Sequence, residues 1–385
     1  MKLGHGPSLY PSRRGVLAGA GAAALNFSLP PFDGVAWADA PTLLKPFDPS
    51  RPGGQAPKGL PPRIGAVSPT PDGLNKSIND AIRQGAKDWD LEFLGASGNG
   101  TAESVVEQGT LLLNRGIGLF YSFVTNLEAE APMLQRALDT GVNCANVAGY
   151  PCTMQLNDSQ TAAGTRQAQA AITWIKQKLG GDARVAYLNN AKTAFLIPRD
   201  VAVRAAFQQA GIKLVADETP QTATPDGGYA TMSTLLQRYP DINVVVGPFN
   251  VMGGAVGAME AAGKTGDDIY MSVGNPTEAE LSLIEKGSIL RAGLIFPFEP
   301  MCYALAKLAR DWLEGKSVPM GITVPGGNVL IESSAGVMQY RKDISDLKAL
   351  YNSARFAIYT GYWGNTSYEE HVAHDWHEAW QQTNL

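Results

Sequence analysis

Between Arg63 and Phe296, short apolar runs alternate regularly with longer amphipathic segments. The runs have the length and composition of buried strands, and the segments between them carry apolar residues at helical spacing. Strands that alternate with helices form parallel sheets covered by helices on both faces. The predicted strands cover residues 63–70, 91–97, 117–124, 142–149, 183–190, 212–218, 242–249, 269–275 and 289–296. The predicted helices cover about 75–90, 101–116, 127–141, 158–179, 199–211, 229–240, 252–262 and 277–287.

This alternation falls into two similar halves. We therefore predict an α/β protein with two doubly wound parallel-sheet lobes that face each other across a cleft. In open parallel sheets, ligands bind in the crevice beyond the carboxyl ends of the strands. Residues that directly follow the strands are the first candidates for a binding site.

One stretch, Gly257 to Thr265, nearly matches a nucleotide-binding loop. The pattern requires a glycine, four residues and then Gly-Lys-Ser/Thr, but Ala258 stands where the first glycine belongs. A phosphate loop also precedes its helix, whereas Gly263-Lys264-Thr265 follows one. We predict that Gly263 caps the helix in a left-handed conformation. The positive charge of Lys264 would then interact favourably with the negative, C-terminal end of the helix dipole.

The first 38 residues have the pattern of an export signal. Arg13 and Arg14 precede an Ala/Gly-rich apolar run, and Ala36-x-Ala38 fits a cleavage site. The twin arginines favour the Tat route; the Sec route and a retained amphipathic N-terminus are the alternatives. Residues 39–62 contain seven prolines and are predicted to form an extended arm.

Charge and cysteine content narrow the functional class. Removal of residues 1–38 leaves 28 basic and 35 acidic residues, a net charge of −7, so a basic nucleic-acid-binding face is not expected. An exported protein works in an oxidising compartment without ATP. Cys144 and Cys152 could form a small-loop disulfide or remain buried thiols, and with Cys302 the count is odd.

Three stretches of the chain resemble the periplasmic sugar-binding proteins of ABC transporters, the ribose-binding-like type I family. They are "LLLNRGIGLFYSFVTNLEAEAPMLQRALDTGVNCANV", "NVVVGPFNVMGGAVGAMEAAGK" and "VGNPTEAELSLIEKGSILRAGLIFPFEPMCYALAKLA". The resemblance covers roughly residues 62–332 and rests on the order and spacing of these units. It implies two lobes joined by a hinge: residues 63–152 with about 297–332 as lobe 1, and 153–296 as lobe 2. Residues 333–385 would form a C-terminal extension.

The resemblance also implies a function. It implies a non-enzymatic periplasmic protein without a cofactor, expected to be a monomer, that delivers a small polar ligand to an ABC permease in the inner membrane. A sensor that reports ligand occupancy to a membrane receptor or kinase is the alternative. The segment 63–332 contains no histidine, and neither GxSxG nor HExxH occurs, which disfavours a periplasmic enzyme.

Seven residues are candidates for ligand contact. The resemblance places Asn79 near an aromatic position of the family and Arg199 where the family has ligand-binding arginines. Asparagines follow four strands, and turn chemistry is their alternative role. Phe296 could stack on a ligand, whereas Phe298 fits the core better. The full set is Asn79, Asn126, Asn146, Arg199, Asn250, Asn275 and Phe296.

These positions predict the chemistry of the ligand. The family's carboxylates are replaced here by amides or small residues, and asparagine both donates and accepts hydrogen bonds. Arg199 would add a planar set of donors suited to a carboxylate or phosphate, and an ion pair with Asp200 is the alternative. A sugar, polyol or sugar acid is therefore expected.

The C-terminal tail contains three histidines in seven residues: His371, His374 and His377. Their spacing spreads them around a helix, and structural zinc sites normally need four well-placed ligands. We therefore expect a docking arm that uses Trp376 and Trp380, with metal binding as the alternative.

Overall fold

The protein forms two six-stranded sheets, each covered by helices. The structure, a computed structural model, describes residues 57–71, 73–123, 126–146, 154–157, 160–191, 196–315, 322–325 and 329–360. The predicted fold class, two parallel α/β lobes, is confirmed. The export signal, most of the arm, Cys152 and the histidine-containing tail lie outside the described residues.

The first sheet is entirely parallel and has the strand order β11-β5-β4-β3-β1-β2. Its strands are β1 (Arg63–Ser68), β2 (Glu92–Ser97), β3 (Leu119–Ser122), β4 (Asn143–Asn146), β5 (Met154–Asn157) and β11 (Ile322–Pro325). The helices of this lobe are α1 (Gly73–Asp88), α2 (Ala102–Asn114), α3 (Leu127–Asp139) and α9 (Phe298–Leu313). The amphipathic α1 buries Ile78 and Ile82 and packs against α9.

The second sheet has the order β12-β10-β9-β8-β6-β7, in which only β12 runs antiparallel. Its strands are β6 (Val185–Leu188), β7 (Leu214–Glu218), β8 (Val244–Pro248), β9 (Tyr270–Gly274), β10 (Leu290–Ile295) and β12 (Val329–Ile331). The helices are α4 (Gln160–Lys178), α5 (Ile197–Gln209), α6 (Pro225–Arg238), α7 (Val251–Ala261) and α8 (Glu278–Glu285). Strand β8 is a continuous apolar run because both faces of the sheet are covered.

Three further helices follow the second sheet. They are α10 (Ser334–Ser345), α11 (Leu347–Tyr351) and α12 (Phe356–Thr360). We call them together the C-terminal strap. Helix α10 contacts α8 of the second lobe, whereas α11 and α12 contact α9 of the first lobe.

Two strands, β5 and β12, belong to a different lobe from the one that the predicted boundaries assigned. Strand β5 belongs to the first sheet, although residues 153–296 were assigned to lobe 2. Strand β12 pairs with β10 in the second sheet, although residues 297–332 were assigned to lobe 1. Both strands have at most four residues, and their place is decided by pairing partners distant in sequence.

The predicted role of Gly263 is confirmed. Its φ is 73°, and its amide donates to the Glu260 carbonyl at 2.9 Å. The Lys264 amide donates to the Met259 carbonyl, also at 2.9 Å, which completes a Schellman motif. The Gly-Lys-Thr sequence therefore ends α7 and has no phosphate-binding geometry.

Candidate functional site

In the first lobe, three neighbouring strands end in serine. Ser68, Ser97 and Ser122 are the last residues of β1, β2 and β3, which are adjacent in the sheet. The Ser68 and Ser97 hydroxyl oxygens lie 3.3 Å apart. Because these strands are parallel, the three hydroxyls share the carboxyl edge, where ligands of open α/β sheets bind.

Asn79 extends this polar edge from α1. Its side chain is 8% exposed, and its Nδ2 donates to Ser68 Oγ at 3.0 Å. The described residues provide no hydrogen-bond donor for its buried Oδ1. A buried carbonyl oxygen normally has a partner, so a ligand hydroxyl at this edge would be stabilising.

Asn126 lies where β3 leads into α3. Its exposed side chain accepts from the Ala129 amide at 3.2 Å, as a helix cap does. Its own amide donates to Oε1 of Glu130 at 3.1 Å, and Ser122 donates to Oε2 of the same carboxylate at 3.3 Å. The fully buried Glu130 therefore fixes this turn to the end of β3. Asn146, the last residue of β4, is the register partner of Ser122.

In the second lobe, Glu280 fixes the two turns that carry Asn250 and Asn275. The Glu280 carboxylate, 1% exposed, accepts from the amides of Thr277 (2.8 Å), Gly253 (3.0 Å) and Asn250 (3.3 Å). The Thr277 hydroxyl donates to it as well, at 3.0 Å. Burial raises the pKa of Glu280, and these hydrogen bonds oppose that shift. One carboxylate thus ties the start of α7 to the start of α8.

Asn250 and Asn275 both have left-handed backbones, with φ values of 62° and 59°. Asparagine tolerates this conformation better than other residues with a side chain. Turn geometry therefore accounts for both residue types. It leaves their half-buried side chains, at the ends of β8 and β9, available for a further role.

Arg199 is buried at the same edge of the second lobe. It lies in the first turn of α5, is 4% exposed, and its guanidinium carbon lies 4.2 Å from the centre of the Phe296 ring. Its Nε donates to Gln160 Oε1 at 3.0 Å. A positive charge at the N-terminus of a helix interacts unfavourably with the helix dipole. The stacking and the hydrogen bond offset this effect for Arg199.

Asp200 has partners of its own. Its carboxylate accepts from the Tyr187 hydroxyl at 2.5 Å and from the Asn190 amide at 3.1 Å. Burial and the neighbouring Asp200 carboxylate raise the pKa of Tyr187. These bonds anchor the start of α5 to the end of β6, and so fix the position of Arg199.

Gln167 attaches α4 to the sheet beside Arg199. Its Nε2 donates to the carbonyls of Gly247 at 3.0 Å and Ser272 at 3.3 Å, in β8 and β9. A Cβ atom on Gly274 would lie 3.1 Å from both Arg199 Nη1 and Gln167 Oε1. Glycine at the end of β9 therefore gives the guanidinium its space.

Comparison with known proteins agrees with this architecture. A model of the periplasmic binding protein domain matches residues 66–317, more than half of the chain. The chain belongs to the periplasmic binding protein domain family. No curated protein matches the sequence significantly.

Solved periplasmic binding proteins share the fold. A periplasmic ribose ABC transporter protein from Conexibacter woesei DSM 14684 is 17% identical, with a TM-score of 0.64 over 75% of this chain and 97% of that one. An ABC transporter solute-binding protein from Bacillus halodurans C-125 with bound myo-inositol is 18% identical, with a TM-score of 0.63 over 74% and 99%.

A third structure covers more of the chain. The 5-methylthioribose transporter solute-binding protein from Thermotoga lettingae TMO is 19% identical, with a TM-score of 0.62 over 83% and 98%. At these identities the likeness concerns the fold, and the predicted type I architecture is confirmed.

Sequence reasoning missed several residues that build the edges of this periplasmic binding protein. The capping-box pattern Thr-x-x-Glu, Thr277 to Glu280, was a readable signal for one of them. The three serines were a second readable signal, because each lies near the end of a predicted strand. Gln160 and Gln167 had no readable signal, because their partners are distant in sequence. Phe296 and Phe298 are both buried in the core, so burial does not separate the two roles predicted for them.

Other features of this periplasmic binding protein are quickly stated. Within the described residues, no group of three or more potential ligands could hold a metal ion, and no helix is long and apolar enough to cross a membrane. Cys144 is buried, but its predicted partner Cys152 lies outside the described residues. A Cys144–Cys152 disulfide and buried free thiols stay open alternatives, and the docking role of the histidine-containing tail stays a prediction.

Proposed function

We propose that the protein is the solute-binding subunit of an ABC transporter and binds a small polyhydroxylated ligand between its lobes. Membership of the periplasmic binding protein family supports the role, and solved proteins of this fold hold myo-inositol and 5-methylthioribose. Binding would shift the population towards a closed arrangement, as in other hinged proteins. In this role the protein carries out no reaction.

The proposed contact residues lie on both edges. Asn79 and Asn146 would contribute from the first lobe, Arg199, Asn250 and Asn275 from the second, and Phe296 from the connection between them. Asn126 is left out because its side chain caps α3.

One observation carries the proposed ligand chemistry: the nearly buried guanidinium of Arg199, held by Gln160 and Phe296 at the carboxyl edge of the second sheet. A buried guanidinium offers fixed donors that match carboxylate or phosphate oxygens. The first-lobe edge offers hydroxyls and an amide, which suit ligand hydroxyls. The proposed ligand is therefore a sugar acid or a related hydroxylated carboxylate.

A thermal-unfolding screen tests this proposal. Neutral pentoses, hexoses and polyols are compared with the corresponding acids. A ligand at about a hundred times its Kd stabilises the fold by about 2.7 kcal/mol, which gives a clear shift. We expect acids to give larger shifts than their neutral counterparts, and Arg199→Gln to abolish that difference.

Arg204→Gln is the matched control. Arg204 lies in the same helix, stacks on Tyr187 with its guanidinium carbon 5.7 Å from the ring centre, and pairs with Asp217. Each variant is compared with and without ligand, so a change in its own stability cancels. Strong shifts from neutral sugars alone, with none from the acids and no effect of Arg199→Gln, would contradict the proposed ligand chemistry.

Export and delivery complete the proposal. Residues 1–38 would direct the chain to the periplasm through the Tat route, where a monomer would deliver its ligand to the permease. Replacement of Arg13 and Arg14 by lysine should then retain the precursor in the cytoplasm, as fractionation and immunoblotting would detect. Normal export of that variant would favour the Sec route.

A further inference from the structure

The C-terminal strap is attached to both lobes. On the second lobe, Arg341 of α10 contacts three residues of α8: its Nη1 donates to Glu285 at 2.6 Å, and its Nη2 donates to Glu278 at 2.5 Å and to Ser282 at 3.1 Å. The three partners lie on one side of α8, because they are separated by three or four residues. Arg341 therefore holds α10 along the length of that helix.

On the first lobe, the strap is fixed by an aromatic cluster. Tyr351 of α11 packs against both Trp89 and Tyr303, with its ring centre 5.3 Å and 5.8 Å from theirs. Phe356 of α12 packs edge-on against Tyr351 at 4.9 Å. Lys348 adds an ion pair with Asp88 at 3.5 Å. This attachment is mostly apolar, so salt weakens it less than it weakens the Arg341 ion pairs.

Within the strap, Asp343 joins α10 to α12. Arg355 donates to its carboxylate at 2.5–3.1 Å, and the Tyr359 hydroxyl donates at 2.6 Å. The Asp343 carboxylate is nearly buried. A displacement of α10 relative to α12 would break these bonds, so the strap moves as one unit.

The two attachments meet at adjacent residues of α10. Tyr340 is buried, and burial together with the neighbouring Glu299 carboxylate of α9 raises its pKa. Glu299 lies directly after the chain crosses from β10 to α9. Tyr340 therefore attaches α10 to the first lobe beside the hinge, and Arg341, the next residue, attaches it to the second lobe.

A rotation of one lobe against the other must break one of these attachments. The Arg341 contacts are the weaker ones, because the side chains of Arg341, Glu278 and Glu285 are 29%, 69% and 32% exposed, and exposed ion pairs contribute little. Tyr340 and Tyr303 are buried and the other rings of the aromatic cluster are partly buried, so this attachment would stay with the first lobe.

We propose that the strap is a latch across the hinge: Arg341 holds α8 at the interlobe separation seen here, and the lobes move by releasing α8 from α10. The latch acts on α8, the helix that directly follows Asn275. It would set how readily the lobes move before any ligand binds, so its test needs no ligand and does not depend on the ligand proposed above.

The test measures the distance between the lobes in ligand-free protein. Spin labels are placed on exposed residues Glu107 and Gln237, after Cys144, Cys152 and Cys302 are replaced by alanine, and distances are read by double electron–electron resonance. In Arg341→Ala we expect about a twofold to fivefold larger population away from the wild-type separation. The double variant Glu278→Gln/Glu285→Gln should reproduce this change, since it removes the same pairs from the other side.

Two comparisons make the test decisive. Arg184→Ala removes exposed ion pairs with Asp182 and Asp241 inside the second lobe and should leave the distances unchanged. High salt should broaden the wild-type distribution and have little effect on Arg341→Ala, because the screened pairs are already absent. An unchanged distribution in Arg341→Ala, or the same broadening in Arg184→Ala, would overturn the proposal.

Discussion

The two edges that border the cleft are built from different chemistry. In the first lobe, β1, β2 and β3 all end in serine, and Asn79 adds an amide. In the second lobe, the corresponding strands β6, β7 and β8 end in Leu188, Glu218 and Pro248. The other polar groups of this edge come from the turns after β8 and β9 and from helices: Asn250, Asn275, Arg199, Gln160 and Gln167. We call the first the neutral edge, after the hydroxyls and the amide that it presents, and the second the charged edge, after the buried guanidinium of Arg199.

This difference gives a ligand an orientation. Hydroxyls and an amide can donate or accept, so the first edge adapts to ligand hydroxyl groups. A guanidinium only donates, and burial strengthens its preference for an anionic acceptor. A ligand with a carboxylate at one end and hydroxyls at the other would match both edges in a single direction.

The largest expected effect concerns the buried glutamates that support each edge. Glu280 accepts hydrogen bonds from four donors and joins the starts of two helices, whereas Glu130 joins one turn to the end of β3. Each unsatisfied buried donor costs about 1–3 kcal/mol. Glu280→Ala should therefore lower the free energy of unfolding by about 3 kcal/mol or more, and Glu130→Ala by less, as measured by denaturant titration.

Glutamine variants are the controls for this comparison. Glu280→Gln and Glu130→Gln keep one carbonyl acceptor and nearly the same volume, so each should lose less stability than its alanine counterpart. Equal losses in Glu280→Ala and Glu130→Ala would show that the second edge does not depend more on its buried carboxylate than the first.

A charge placed on the neutral edge should change ligand preference. In Asn79→Asp, the carboxylate would repel an acidic ligand, and the acceptor-only group would still suit a neutral polyol. We expect the Kd of the acid to rise about tenfold, or about 1.4 kcal/mol, while that of the neutral counterpart changes little. Isothermal titration calorimetry of both ligands measures this difference.

The control for charge alone is Asn114→Asp. Asn114 accepts from Arg136 on the exposed surface of the same lobe, so this variant adds the same charge away from the edge. If the Kd of the acidic ligand also rises tenfold in Asn114→Asp, net charge governs ligand preference and the position of Asn79 does not.

Much of the fold could be predicted from the sequence because long apolar runs alternate with helical patterns. The nine predicted strands are all present, and Gly263 ends α7 as expected from local backbone chemistry. Strands β5, β11 and β12 could not be predicted, because these short segments stand outside the regular alternation of apolar runs and helical patterns. Their pairing depends on tertiary contacts.

The candidate site was predictable only in part. The position of each polar residue after a strand identified the edge, because topology alone puts strand ends together. The partners of those residues were not predictable: the Ala129 amide for Asn126, Gln160 for Arg199 and Ser68 for Asn79. Such contacts depend on side-chain packing between elements that are distant in sequence.

A smaller effect should follow from crowding the charged edge. In Gly274→Ala, the new methyl group would press on Arg199 Nη1 and Gln167 Oε1, each 3.1 Å away. Overpacking typically costs 1–3 kcal/mol, and we expect about 1 kcal/mol here because both groups end flexible side chains. The Kd of an acidic ligand should rise about fivefold by calorimetry.

Gly253→Ala provides the control on the same edge. Its new Cβ would lie 3.7 Å from Glu280 Cγ, an ordinary contact, and alanine favours the helix that contains it. This variant should bind the ligand as the wild type does and be equally or more stable. If Gly274→Ala binds normally, the space beside Arg199 does not matter for recognition.

The smallest expected effects concern Asn126 of the neutral edge and Asn250 of the charged edge, which should differ in their roles in stability and in binding. Asn126→Ala removes a helix cap from α3 and should lower the free energy of unfolding by about 1 kcal/mol, with an unchanged Kd.

Asn250→Gly keeps the left-handed turn, since glycine adopts a φ of 62° without strain, and should alter stability by about 0.5 kcal/mol or less. It should nevertheless weaken ligand binding, because only the side chain is lost. Unfolding measurements should therefore show the larger change in Asn126→Ala, and calorimetry should show the larger change in Kd in Asn250→Gly. A Kd that rises in Asn126→Ala and stays constant in Asn250→Gly would mean that the ligand is held chiefly by the first lobe.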